Sequence, residues 1–98
     1  MTRRWLMWLF ACCACSAFAA DKVVFVTSWF AEAEHGGFYQ ALAEGIYQKH
    51  GLDVTIRMGG PQVNAYQLLL AGQADVAMGY DIQTLKAVEQ GLPLVTVA

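Results

Sequence analysis

Charge is scarce in this 98-residue chain: Asp, Glu, Lys and Arg make up 14% of it, and the six cations form no stripe or patch along the sequence. Nucleic acid is therefore a poor partner for it. Cysteine is confined to Cys12, Cys13 and Cys15. A chain cleaved after Ala19 keeps no thiol, which removes disulfides, thiolate zinc sites and a cysteine nucleophile together. Proline occurs only at Pro61 and Pro93, and no Ser/Pro-rich linker, low-complexity tract or internal repeat divides the sequence. Histidine is limited to His35 and His50 on separate segments, without metal-ligand spacing. The apolar run Trp5–Cys15 covers eleven residues, well short of the ~20 that cross a bilayer as a helix, so no permanent transmembrane anchor is expected.

What the first residues do contain is ordered. Arg3-Arg4 precede that apolar run, and Ser16-Ala17-Phe18-Ala19-Ala20 follow it with small residues at the positions a signal peptidase reads. Residues 1–19 are thus expected to be a secretory signal peptide, cleaved after Ala19, that exports the remainder. Leu9-Phe10-Ala11-Cys12 approximates a lipoprotein box and Arg3-Arg4 a twin-arginine pair, but both fit less well than ordinary export. Residues 20–98 carry Lys22, Lys49, Arg57 and Lys86 against eight acids, an acidic balance, and are few for a domain that must build its own core.

Within residues 20–98 the hydrophobic pattern alternates between strand and helix. Lys22–Thr27 is a β-branched and aromatic run expected to be buried on both faces. Gly37–His50 places Phe38, Ala41, Leu42, Gly45 and Ile46 on one helical face and ends at Gly51; Gly45 inside that stripe suggests close approach of the helix to a sheet. Asp53–Met58 alternates strictly, as an edge strand does. Val63–Ala71 reads as a second helix, Asp75–Gly79 as a third strand, Ile82–Gln90 as a helix capped by Asp81, and Leu94–Ala98 as a fourth strand after Pro93. The β-α-β-α-β-α-β order predicts an α/β fold with a parallel sheet, flanking helices and strand order 2-1-3.

Ligands of such sheets sit beyond the carboxyl ends of the strands. The segments projecting there run from Ser28-Trp29 to Gly37, from Gly59 to Asn64, and through Gly79-Tyr80-Asp81. Trp29, Phe38 and Tyr80 suit an apolar slot, and His35 and Asp81 suit hydrogen bonding to a ligand. Each also has a plainer role: Trp29 in core packing, Asp81 as a helix cap, Gly59-Gly60-Pro61 as a turn. That glycine pair lacks both the Walker pattern and G-x-G-x-x-G. No Ser/His/Asp set, Cys/His pair or paired carboxylates can be assembled, so no catalytic residue, metal or cofactor is expected.

Ser28-Trp29, Glu34-His35-Gly36-Gly37-Phe38-Tyr39, Ala41–Tyr47, Gly51-Leu52-Asp53-Val54, Gly59-Gly60-Pro61, Gly72-Gln73-Ala74-Asp75 and Gly91-Leu92-Pro93 resemble, in order and spacing, the opening of the SsuA/THI5-like (NMT1) periplasmic substrate-binding proteins. The resemblance implies a type II periplasmic-binding-protein fold and a solute receptor that serves an ABC permease in the inner membrane. Family members have two lobes and are several-fold longer, so residues 20–98 correspond to the first part of lobe one. The ligand-binding positions it implies, together with the loop inventory, are Trp29, His35, Gly36, Phe38, Gly60, Asn64, Tyr80 and Asp81.

The resemblance implies uptake of a thiamine-pyrimidine precursor, as in the members most like this chain, while other members take alkanesulfonates, taurine, nitrate or flavins. Glu32, Glu34, His35 and Asp81 are expected around the mouth with Arg57 as the one nearby cation, which disfavours anions and favours a neutral heteroaromatic stacked on Trp29. An alternative is the related fungal thiamine-pyrimidine synthase, which depends on a Lys that holds pyridoxal phosphate and a His consumed in the reaction; Gly79 and Gln83 stand at those positions here. A further alternative is a truncated product without function, its sheet half uncovered.

Overall fold

A computed structural model describes residues 19–98; the signal-peptide, lipoprotein and twin-arginine readings rest on residues 1–18, outside the described residues. The chain forms strand β1 (Asp21–Val26), a 3₁₀ turn (Ala33–His35), helices α1 (Gly36–Ala43) and α2 (Ile46–Lys49), strand β2 (Leu52–Arg57), helix α3 (Ala65–Leu70), strand β3 (Val76–Ala77) and helix α4 (Asp81–Glu89). No helix among the described residues is long and apolar enough to cross a membrane.

The three strands make one parallel sheet in the order β2-β1-β3. β1 pairs with β2 along its whole length, from Asp21 opposite Leu52 to Val26 opposite Arg57. This is the expected α/β architecture and strand order. The central strand descends into the core: Phe25 and Val26 are buried, and Thr27 just beyond them is 1% exposed. In β2, Val54 is buried and Ile56 half-buried between exposed Asp53, Thr55 and Arg57, the alternation of a strand with one wet face.

Five local expectations are corrected. The single helix over 37–50 is two, because Gly45 takes φ +69° and turns the chain between α1 and α2. Its missing Cβ would meet only Gln48 Oε1, at 3.6 Å, so the glycine serves that left-handed turn and not an approach to the sheet. β3 is two residues instead of five: the Val24 N–H donates to the Asp75 carboxylate at 2.8 Å, so a side chain takes the place of a ladder carbonyl there. Backbone bonds from Asp75 N to Val24 O (2.9 Å) and Met78 N to Val26 O (2.8 Å) still fasten the segment to β1. Leu94–Ala98 is not a strand, with Val95 and Val97 each 84% exposed; an apolar run becomes a strand only beside a neighbour that supplies a ladder, and no described residue does so. Finally, Tyr80 and not Asp81 is the N-cap of α4, and it supplies no side-chain bond; Asp81 lies in the first turn, where a carboxylate still complements the positive end of the helix.

Candidate functional site

The loops after β1 and β2 are joined by one hydroxyl. Buried Thr27 donates from Oγ1 to the Trp29 carbonyl at 2.8 Å and accepts from the Gly59 N–H at 3.0 Å. Gly59 must be glycine, since a Cβ there would run into the backbone carbonyl of Thr27. The two loops are thereby held together at the carboxyl end of the sheet. Above them Trp29 and Phe30 stand edge to face with ring centroids 5.6 Å apart, and the Phe30 ring lies against Gly60. Such tilted pairs suit the positive edges and negative faces of aromatic rings.

A cleft of about 480 Å³ opens here, with Trp29, Gly60, Asn64, Tyr80 and Gln83 among its walls. Trp29 is 43% and Tyr80 58% exposed, so both rings offer surface to the cleft. Asn64 caps α3, accepting the Gln67 N–H on Oδ1 at 3.2 Å, which leaves its amide nitrogen as a donor. Toward the base, the Ser28 hydroxyl donates to Met78 Sδ at 3.2 Å. Among the described residues, no charged side chain lines this cleft.

Of the eight positions expected to bind ligand, Trp29, Gly60, Asn64 and Tyr80 line the same cleft. The others lie elsewhere. Phe38 packs on Phe25 with ring centroids 4.7 Å apart, so it does not form a slot with Trp29 and Tyr80: the amphipathic face of α1 turns it toward the sheet. Phe38 and Asp81 line a second, larger cleft on the β3 side. His35 was expected at an open mouth beside Gly36 and is instead fully buried. The 3₁₀ turn carries its ring inward, where Nε2 lies 3.4 Å from Ser28 Oγ. Gly36 begins α1, outside both clefts. The expected acidic mouth is corrected as well: Glu32, Glu34, His35 and Arg57 line neither cleft.

His35 also groups with two carboxylates, Nε2 lying 3.7 Å from Glu34 Oε1 and 4.0 Å from Glu32 Oε1. A metal-ligating histidine has its second nitrogen oriented by a carboxylate or carbonyl, whereas Nδ1 of His35 is buried without a partner. The grouping thus lacks the support that a metal centre has. Sequence reasoning missed Thr27, Phe30 and Gln83 as parts of this site. Thr27 was hidden at the end of an apolar run, and its one signal was a hydroxyl directly after Val23–Val26, four residues without a polar side chain.

The family description NMT1/THI5 like matches residues 32–98. A Haemophilus influenzae protein whose name places it in thiamine biosynthesis is 30% identical over 81 residues, covering 83% of this chain and 26% of its own length. The formylaminopyrimidine-binding protein of Halalkalibacterium halodurans is 30% identical, with 82% of this chain and 24% of the relative covered. A 4-amino-5-hydroxymethyl-2-methylpyrimidine phosphate synthase of Saccharomyces cerevisiae is 28% identical over the same shares, 82% and 24%. The chain spans about a quarter of the length of these relatives. With the match reaching from the 3₁₀ turn through the last described residue, this chain belongs to the NMT1/THI5-like family.

Proposed function

We propose that this chain contributes to a solute-binding protein for a thiamine-pyrimidine precursor or a similar small neutral heteroaromatic. The observation that carries the proposal is the character of the Trp29–Tyr80 cleft: two exposed aromatic rings, amide groups from Asn64 and Gln83, and no charged side chain from the described residues in its walls. A flat ring with amino and ring-nitrogen groups would bury its faces on the aromatics and pair its edge with the amides. Taurine, alkanesulfonates and nitrate would lose water there without gaining a cation. The name of the Halalkalibacterium halodurans relative, a formylaminopyrimidine-binding protein, supports the same ligand class.

Binding is favoured over synthesis by two positions. Gly79 offers no amine for a Schiff base, and the Tyr66 hydroxyl fills the space into which a side chain at 79 would extend. Gln83 has no imidazole to give up. Pyridoxal phosphate therefore has no anchoring lysine at this place. In the full reading the protein is exported by residues 1–19, works in the periplasm and hands its solute to an ABC permease.

Titration of the purified chain with formylaminopyrimidine or 4-amino-5-hydroxymethyl-2-methylpyrimidine, followed by Trp fluorescence and by thermal unfolding, tests the proposal. A ligand that binds only the folded state raises the midpoint, by the equivalent of about 2.7 kcal/mol at a hundredfold excess over Kd. Saturable quenching together with a raised midpoint is expected. A response to taurine or nitrate and none to either pyrimidine would overturn the proposal.

A further inference from the structure

The Trp29–Tyr80 cleft has a neighbour with which it shares a wall. A larger, mostly apolar cleft of about 850 Å³ lies between β3, α3 and residues 93–98, and Tyr66 and Met78 line both spaces. Methionine is an adaptable wall, with three rotatable bonds. Tyr66 is a fixed one. Its hydroxyl donates to Thr84 Oγ1 at 2.9 Å, Thr84 Oγ1 donates in turn to the Tyr80 carbonyl at 3.3 Å, and the phenol oxygen lies 3.4 Å from that same carbonyl. This triangle ties α3 to the first turns of α4. The hydroxyl lies so close over Gly79 that a Cβ at that position would collide with it. The phenol is therefore held by hydrogen bonds at its tip and fits only because residue 79 has no side chain.

We propose that Tyr66 is a size filter, a partition that stops a ligand at the depth of one ring. This rests on the heteroaromatic reading above and adds the residue that sets its upper size limit. The logic is geometric. With the phenol in place the neutral cleft ends at Tyr66; without it the two spaces join, and the added depth is lined mainly by apolar groups. A fused bicycle carrying the same aminopyrimidine edge would then keep its polar contacts while its second ring enters apolar surroundings.

The experiment compares 4-amino-5-hydroxymethyl-2-methylpyrimidine with 4-aminoquinazoline by calorimetric titration against the unaltered chain, Tyr66→Ala, Tyr66→Phe and Thr84→Val, each checked for folding by circular dichroism. The unaltered chain is expected to prefer the single ring at least tenfold. Tyr66→Ala should gain at least tenfold for the quinazoline. Tyr66→Phe and Thr84→Val, which free the ring without removing it, should each gain several-fold for the quinazoline, and Thr84→Val, outside the cleft wall, should hold the single ring within a few-fold. If the unaltered chain binds neither compound, the ligand assignment falls, yet a gain of quinazoline binding in Tyr66→Ala still supports the partition. If Tyr66→Ala does not fold, the two milder variants decide. Quinazoline affinity equal to that of the unaltered chain in every folded variant overturns the partition.

Discussion

Thr27→Val is the substitution that most directly asks whether one hydroxyl assembles the site. The change preserves shape and replaces Oγ1 with a methyl. It removes the acceptor of the Gly59 N–H at 3.0 Å and the donor to the Trp29 carbonyl at 2.8 Å, at a residue 1% exposed. The Gly59 N–H then stays in the interior without a partner, which costs about 1–3 kcal/mol, and loss of the second bond adds about 1 kcal/mol. The extra methyl recovers part of this, of the order of 0.8 kcal/mol for a buried carbon. The expected net loss is about 2 kcal/mol, a large fraction of the total for a domain of this size. Urea unfolding followed by far-ultraviolet circular dichroism measures it. Thr27→Ser, which keeps the hydroxyl and drops a methyl, should lose only about 1 kcal/mol and retain pyrimidine binding, whereas Thr27→Val should lose binding as well because the Trp29 and Gly59 loops part. Thr27→Val within about 0.5 kcal/mol of the unaltered chain, or Thr27→Ser equally damaged, would refute the tether.

Two further substitutions probe the same region. Trp29→Ala removes a ring that is 43% exposed and paired with Phe30, so stability should fall by about 1–2 kcal/mol while pyrimidine affinity drops by about a hundredfold or more; a stability loss equal to the binding loss would assign the ring to the core. Gly59→Ala drives a Cβ into the Thr27 carbonyl, backbone against backbone, and should cost more than about 3 kcal/mol; a cooperative transition at the unaltered midpoint would show that the loop moves aside freely.

How far the sequence reaches can be judged from particular residues. The parallel 2-1-3 sheet was legible because strict alternation in Asp53–Met58 marks an edge and the apolar run through Val26 marks a centre. The break at Gly45 was not, because a glycine in an apolar stripe has two uses, close packing or a positive φ, and periodicity does not separate them. β3 is short for a reason invisible in a propensity scale: Asp75 spends its carboxylate on the Val24 N–H. Leu94–Ala98 has strand composition but no partner ladder among the described residues, and composition carries no information about partners. In the site, loop position after each strand was enough to bring Trp29, Gly60, Asn64 and Tyr80 together. His35 went the other way because polarity predicts exposure, whereas the 3₁₀ turn buries this ring against Ser28.

The burial of His35 moves the site's chemistry away from charge. Read along the sequence, Glu32, Glu34, His35 and Asp81 make an acidic mouth. In space the histidine ring is inside, its two glutamate neighbours are exposed outside the cleft, and the aspartate belongs to the adjoining apolar space. What remains around Trp29 and Tyr80 is held by neutral bonds at both ends, Thr27 between the first two loops and the Tyr66–Thr84 pair between α3 and α4. Walls fixed by short hydrogen bonds need little ordering when a ligand arrives, so more of the contact energy survives as affinity. A neutral site of this kind discriminates by ring size and by the pattern of edge donors and acceptors, because an analogue lacking a matching group leaves an amide of the wall desolvated and unpaired. If the proposed pyrimidine is the ligand, selectivity between its close relatives should therefore come from Asn64, Gln83 and the depth proposed for Tyr66, with little dependence on salt, since no charge among the described residues of the wall is there to be screened.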